Sequence, residues 1–195
     1  MSDATPLLPL FVKLAGKPVV VVGAGPMGTQ RVGQLAELGA RVTVVAPEVS
    51  PEAAARAAEV RRRAFRPEDL DGAWLAVAAA PPQVNAAVAE AAEARRILVN
   101  AVDDPSRATA YLGGVIRRGE AVVAISTGGR APALAGLLRE ALDALLPQDA
   151  ARWVEVAEAQ RAPWKQAGVP MAERRPLLLE RLLALYDGRR ADPAP

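Results

Sequence analysis

The chain has 195 residues, 51% of them hydrophobic, with 24 Lys or Arg against 22 Asp or Glu and a formal net charge of +2. That length suits one medium domain or two small ones, with ample apolar material for a core. Cysteine and histidine are both absent. This excludes disulfides, thiolate and imidazole metal sites, Cys nucleophiles and Ser-His-Asp triads, and leaves proton transfer to Asp, Glu, Lys, Tyr or water.

Residues 1–17 read as a lead-in with no basic-then-apolar signal pattern. No run later in the chain reaches membrane-spanning length. The expectation is a cytoplasmic protein that does not enter a membrane. The arginines fall in short clusters, Arg61-Arg62-Arg63, Arg117-Arg118 and Arg174-Arg175. They form no long basic stripe, so nucleic acid is not an expected partner, whereas a small anionic ligand would suit such a surface.

The stretch Pro18-Val-Val-Val-Val-Gly-Ala-Gly-Pro-Met-Gly28 is a buried-type apolar run ending in Gly23-x-Gly25-x-x-Gly28. It predicts a strand over 19–22 and a helix over 27–38 with Val32, Leu35 and Leu38 on its inner face. In a dinucleotide-binding βαβ unit, Gly23 permits the tight turn, Gly25 admits a pyrophosphate and Gly28 lets helix pack on strand. The first helical turn, Pro26, Met27 and Gly28, then faces the anion. A Walker-type phosphate loop is not indicated, since no Gly-Lys-Ser/Thr follows. Gly39 is placed to end the helix.

A second strand is predicted at 42–45, followed by Ala46-Pro47-Glu48. Folds of this type often hold the ribose with an acid at that strand end. Here Glu48 comes two residues late, so two readings stand open: Pro47 and Glu48 meet the ribose, or Glu48 caps the next helix near Ser50-Pro51. No arginine follows directly to meet a 2′-phosphate, which points to NAD rather than NADP. Further along, the pattern predicts a helix over 51–59, an edge strand over 60–65, a strand over 74–79, a helix over 83–94 and a strand over 97–102. Strands alternating with helices imply a parallel, doubly wound sheet.

After Asp103 the pattern changes. Strands at 109–118 and 121–125 suit an antiparallel hairpin, and Ser126-Thr-Gly-Gly-Arg-Ala-Pro132 forms a turn into a helix over 133–146 that Pro147 ends. Helices follow over 149–162 and 176–186, with Pro176 in a first turn and Gly188 at the stop. The fold class expected is α/β: a Rossmann-like parallel sheet followed by a small α+β dimerisation region and C-terminal helices. The expected divisions are 1–104 for the nucleotide-binding domain, 105–147 for a hairpin-plus-helix dimerisation and substrate region, 148–188 for C-terminal helices and 189–195 for a disordered tail. The leucine-faced helices within 109–186 exceed what so small a region could bury alone, which points to a homodimer.

Several pieces together resemble the precorrin-2 dehydrogenase / sirohydrochlorin ferrochelatase family, the front portion of siroheme synthases. They are Leu8-Pro-Leu-Phe11, Leu14-Ala-Gly-Lys17 running into the glycine loop, Leu38-Gly-Ala-Arg41 running to Pro47, Asn100-Ala-Val-Asp-Asp-Pro105, Ala124-Ile-Ser-Thr-Gly-Gly-Arg-Ala-Pro132, Leu137-Leu-Arg-Glu140 and Leu145-Leu-Pro147. The likeness runs in the same order from about residue 7 to 147. It implies NAD-dependent removal of hydride from precorrin-2, an anionic tetrapyrrole, to give sirohydrochlorin. In some members Fe2+ is then inserted, and Fe2+ or Co2+ is the metal substrate implied here.

By the same resemblance Asp103 is the catalytic residue and would touch the metal transiently if chelation occurs. Ser126, Thr127 and Gly128 match a pocket-side turn, and Arg31 matches a basic helix position that would meet substrate or cofactor anion; read alone, Ser and Thr before Gly-Gly are also ordinary turn residues, and Arg31 could simply face solvent. An intertwined dimer is also implied. Asp103 read alone could equally be a turn residue with a satisfied carboxylate, and Asp104, preceding Pro105, reads as a cap or turn residue. The chain departs from the family pattern at Ala79-Ala80-Pro81-Pro82 and at Tyr111-Leu-Gly-Gly114, both near the expected pocket. No methyltransferase portion follows, so the resemblance implies that precorrin-2 is made elsewhere. Two other function classes remain in view: a non-catalytic NAD-binding regulatory module and a dehydrogenase of a small hydroxy acid. The latter commonly uses His or Lys as acid/base, and this chain offers only Lys13, Lys17 and Lys165.

Overall fold

The structure, a computed structural model, describes residues 6–187. The glycine loop connects β1 (Pro18–Val22) to α1 (Pro26–Glu37), and the chain continues through β2 (Arg41–Val45), α2 (Pro51–Arg56), β3 (Glu59–Arg61), a 3₁₀ turn (Pro67–Leu70), β4 (Leu75–Ala78), α3 (Pro82–Ala94) and β5 (Leu98–Ala101). The five strands form one parallel sheet in the order β3-β2-β1-β4-β5. This is the Rossmann-like α/β fold that the alternation of strands and helices predicts.

Alternate residues of the strands build two cores, one on each face. Val19, Val21, Val42, Val44 and Val77 pack with Val32 and Leu35 of α1. Val20, Val22, Val45, Ala76 and Val99 pack with Val88 and Ala92 of α3 and with Leu70. Burial on both faces is why these strands read as unbroken apolar runs.

Several local expectations are corrected. Leu38 is 40% exposed rather than part of the inner face, because α1 ends at Glu37 and Gly39, at φ 75°, turns the chain toward β2. The helix expected over 51–59 stops at Arg56, and the arginine strand is shorter than expected. Only Arg61 of its three arginines lies in β3. Asp69 explains this. It is buried and accepts from the Arg61 guanidinium at 2.8 Å, the Arg63 guanidinium at 2.7 Å and the Arg66 backbone N–H at 2.9 Å, so the chain after Arg61 bends around a carboxylate instead of following β2.

Residues 109–113 are not part of the hairpin strand either. Thr109 and Ala110 both donate their N–H to the Val99 carbonyl, Thr109 Oγ1 accepts from the Val99 N–H, and Asn100 Nδ2 donates to the Ala110 carbonyl. The segment therefore seals the free edge of β5, a device that protects sheets from edge pairing.

The described residues fall into two compact units. The first comprises residues 6–113 and the turn Ser126–Pro132. The second comprises Gly114–Ile125 and residues 133–187. Position 104 lies inside the first unit, where Thr109 and Ala110 are hydrogen-bonded to β5.

In the second unit β6 (Gly114–Arg118) and β7 (Ala121–Ile125) form the expected antiparallel hairpin. They are followed by α4 (Pro132–Leu145), α5 (Ala151–Gln166) and α6 (Met171–Ala184). Arg118 ties hairpin to helix, donating to the Asp143 and Pro147 carbonyls and pairing with the Asp143 carboxylate at 2.9 Å. Pro176 is inside α6 rather than in its first turn, since the helix begins five residues earlier after the N-cap Pro170. Gly188 and the 189–195 tail lie outside the described residues. Among the described residues no helix is long and apolar enough to cross a membrane.

Candidate active site at the carboxyl edge of the sheet

Strand order reverses between β1 and β4, and the loops that leave these strands diverge there. In open α/β sheets this is where ligands bind. The loops enclose a cleft of about 220 Å³ lined by Gly25, Pro26, Met27, Ala79, Ala80, Asn85, Val102 and Asp103.

The three loop glycines do different work. A Cβ on Gly23 would overlap the Ala79 carbonyl, and Gly23 sits at φ 98°, so the turn is closed to other residues on two counts. A Cβ on Gly28 would overlap the Gly23 carbonyl. Gly25 is the contrast: its Cβ would meet nothing within 4 Å. The protein itself does not need glycine at 25; the bare backbone there leaves room for something else. Gly25 is also the N-cap of α1, with no side-chain cap and no acid in the first turn. The first intrahelical bond runs from the Thr29 N–H to the Gly25 carbonyl. The N–H groups of Met27 and Gly28 precede it and are available to an anion, in the field of the helix dipole. These features fit the pyrophosphate of a dinucleotide.

At the end of β2, Pro47 and Glu48 are both exposed. The helix-cap reading of Glu48 is overturned: Ser50 caps α2, its Oγ accepting from the Ala53 N–H at 3.1 Å. Glu48 is thereby left exposed beyond the carboxyl end of β2, with no hydrogen bond or ion pair to any described group. The arginine run comes closer to this strand end than its sequence position implied, for the Ala46 N–H donates to the Arg61 carbonyl at 3.2 Å. Arg61 and Arg63 are neutralised by Glu59 and Asp69, which leaves Arg62 as the exposed cation of the run.

The two adjacent carboxylates have different fates. Asp104 accepts from Ser106 Oγ at 2.6 Å and pairs with Arg107 at 3.2 Å, and these partners, Ser106 first, hold its carboxyl below the usual range. It is the turn residue that its position before Pro105 predicts. Asp103 lines the cleft, is exposed, and makes no hydrogen bond or ion pair with any described group. Its φ of 60° is the left-handed conformation, which Asp tolerates better than most residues but which still carries a cost. That backbone turns the end of β5 so that one carboxylate enters the cleft while its neighbour anchors the loop.

The Ser126–Pro132 turn packs on this loop. A Cβ on Gly129 would crowd Pro105 and Tyr111 at 2.9 and 3.0 Å, and the Tyr111 hydroxyl donates to the Pro105 carbonyl at 3.0 Å. Ser126 Oγ accepts from the Gly128 N–H, and Thr127 Oγ1 donates to the Ala131 carbonyl while accepting from its N–H. Both hydroxyls therefore shape the turn, and neither they nor Gly128 lines the cleft. Arg31 is not a lining residue either. It is half-buried, burial pushes its guanidinium pKa down, and it pairs with no described carboxylate. Its Nη1 donates to Gln34 Oε1 at 2.7 Å while its buried Nε has no partner. Asn100 Oδ1 is likewise buried and unpartnered. Buried polar atoms are seldom left so without a ligand or water to meet them.

Asn85, which belongs to no sequence motif, lines the cleft and accepts from the Ala80 N–H at 2.9 Å. The available signal was its spacing: Asn85 lies three and seven residues before Val88 and Ala92, on the buried face of α3. A lone polar residue on such a face requires a partner.

Residues 10–114 match a family described as putative NAD(P)-binding. Siroheme synthase 3 of Aeromonas hydrophila subsp. hydrophila is 44% identical over 181 residues, covering 90% of this chain and 38% of the relative. The siroheme synthase of Methylobacillus flagellatus is 42% identical over 164 residues, covering 82% of this chain and 35% of the relative. The chain thus spans well under half the length of these curated relatives. Among solved structures, one titled SirC, precorrin-2 dehydrogenase, matches with a TM-score of 0.68 at 28% identity, covering 89% of this chain and 88% of that one.

Proposed function

The chain belongs to the putative NAD(P)-binding family, and from that premise we propose that it oxidises precorrin-2 to sirohydrochlorin with NAD+ as hydride acceptor. The observation that carries the reading is the unpartnered Asp103 carboxylate in the same cleft as the bare glycine loop. Similarity to siroheme synthases over 90% of the chain, beyond the sheet unit, supports an enzyme over a nucleotide-sensing module.

The roles assigned are these. Gly23 and Gly28 shape the loop, Gly25 leaves room for the pyrophosphate against Pro26, and the Met27 and Gly28 N–H groups donate to it. Pro47 and Glu48 border the adenosine ribose, and Glu48 accepts from its hydroxyls. Bound NAD+ supplies the nicotinamide that takes a hydride. Asp103 takes the accompanying proton from the substrate, so that two electrons and two hydrogens leave precorrin-2. With no imidazole or thiol in the chain, a free carboxylate is the simplest general base. Arg31, half-buried with one nitrogen unmet, offers charge-assisted hydrogen bonds to substrate carboxylates. The Ser126-Thr127-Gly128 turn acts in this proposal by bracing the loop that carries Asp103. If Fe2+ or Co2+ is inserted as a second substrate, the same carboxylate receives the displaced pyrrole protons. A homodimer formed through the exposed leucine face of α4 and a cytoplasmic location belong to the same proposal.

The test is an anaerobic mixture of the purified chain, enzymatically made precorrin-2 and NAD+. Sirohydrochlorin absorbance and NADH should rise together, and metal added afterwards should alter the product spectrum only if chelation occurs. Failure of NADH to form with folded protein would overturn the dehydrogenase reading.

A further inference from the structure

Every lining residue of the cleft but two presents backbone or an apolar side chain; the exceptions are Asp103 and Asn85. Asp103 as a carboxylate can only accept hydrogen bonds. Asn85 is the side-chain donor in that wall, and nothing in the reaction as derived above uses it.

Its orientation is fixed by chemistry. Asn85 is 6% exposed, and its Oδ1 accepts from the Ala80 N–H at 2.9 Å. A backbone N–H can be satisfied only by an acceptor, so the amide oxygen must face Ala80 and the amide nitrogen must face away from it. No described group accepts from Nδ2. The Ala79–Ala80 turn that Asn85 holds is the wall against which Gly23 closes, since the Ala79 carbonyl occupies the space of a Gly23 Cβ. This turn is built of alanine and proline, Ala79-Ala80-Pro81-Pro82, so it contributes no side-chain donor of its own.

Resting on the dinucleotide-binding reading, we propose that Asn85 is a cofactor-positioning residue. Its Oδ1 pins the Ala79–Ala80 turn against the glycine loop, and its Nδ2 donates to an oxygen of the bound dinucleotide. One amide thus couples loop geometry to cofactor contact. A purely structural Asn would need only its oxygen.

Asn85→Asp separates the two halves. It keeps an acceptor for the Ala80 N–H and removes the donor. NAD+ affinity by calorimetry should weaken tenfold or more while Tm stays within a few degrees of wild type; Asn85→Ala should lower both. Wild-type affinity in a folded Asn85→Asp protein would overturn the proposal. A second arm needs no substitution: in 15N-labelled wild type titrated with NAD+, the Asn85 side-chain amide signals should shift along with the Gly25 backbone amide. A Gly25 shift with stationary Asn85 signals would sink the inference while leaving cofactor binding intact. If neither moves and calorimetry finds no NAD+ binding, the dinucleotide reading itself falls. Asn85 signals that respond to precorrin-2 but not to NAD+ would reassign the donor to the substrate and contradict the proposal.

Discussion

The sheet unit completes its own core, with Val19, Val21, Val32, Val42, Val44, Val77 and Val88 fully buried. Among the described residues the second unit buries only Ile116, Ala135 and Ala150 of its apolar side chains, and leaves Leu134, Leu137, Leu138, Leu142 and Leu145 of α4 exposed. Those leucines recur every three or four residues along one stripe of the helix, the pattern of a face that packs against something. The two units divide the labour. One unit holds a closed valine core and a cleft that can be read from its own residues. The other carries a large unsatisfied apolar face, for which a second copy of the chain is the proposed occupant.

The largest effects should come from breaking the sheet unit. Gly23→Ala meets both an unfavourable φ and the Ala79 carbonyl, and should cost about 4 kcal/mol or more, with a Tm drop of over ten degrees. Gly25→Ala meets no protein atom. It should keep wild-type Tm and lose at least tenfold in NAD+ affinity by calorimetry. Equal Tm losses at the two positions would erase the distinction between a packing glycine and a binding one.

Next comes the unsatisfied face. Leu137→Glu with Leu145→Glu places charge on two of the most exposed leucines, 64% and 76% exposed. Light scattering at micromolar concentration should find wild type dimeric and the double variant monomeric. A fully active wild-type monomer would remove the proposed role of α4.

The Asp69 hub should give an intermediate effect in the sheet unit alone. Burial pushes its carboxyl up, but the Arg63 guanidinium, the Arg66 N–H and the Arg61 guanidinium outweigh this and hold it at about 2, against an ordinary 3.8. A carboxyl depressed in the folded state contributes stability that is complete above the ordinary carboxyl range and is lost as pH falls from about 4 toward 2. The shift corresponds to roughly 2 kcal/mol. Asp69→Asn should therefore lower stability by about that amount at neutral pH and flatten the acid limb of a Tm-against-pH curve between those values. An unchanged acid limb would contradict it.

The smallest effect belongs to Glu48. NAD+ should outperform NADP+, since Glu48 repels a 2′-phosphate, and Glu48→Gln should narrow the kcat/KM ratio by up to about tenfold, or 1.4 kcal/mol. A wild-type preference for NADP+ would show that Arg62, exposed in the run beside the β2 end, governs that subsite instead.

The parallel sheet and its glycine loop were legible in the sequence because short-range pattern determines them: apolar runs of strand length, a turn that excludes side chains and helical spacing between them. What escaped depended on individual side-chain partners that no periodic pattern encodes. Arg63 leaves the strand because Asp69, six residues on, draws it away. Thr109 accepts from the Val99 N–H through its hydroxyl, so Thr109 and Ala110 lie along β5 and the hairpin strand begins only at Gly114. Asn85 carried a faint signal as a polar residue on a buried helix face, but its task became visible only once Ala80 stood beside it. The sequence placed Asp103 and Asp104 at a strand end; their division into a free and an anchored carboxylate depends on Ser106, Arg107 and a left-handed backbone.

That division supplies the most direct test of the central claim. Single-turnover oxidation of precorrin-2 by NAD+ should be compared in wild type, Asp103→Asn and Asp104→Asn, with NAD+ affinity and Tm measured on the same samples. Loss of a positioned general base typically costs about 10²–10⁴-fold. Asp103→Asn should slow the step by that amount at near-wild-type affinity and Tm, and Asp104→Asn should cost far less. Near-full turnover in Asp103→Asn, or a greater loss in Asp104→Asn, would contradict the account.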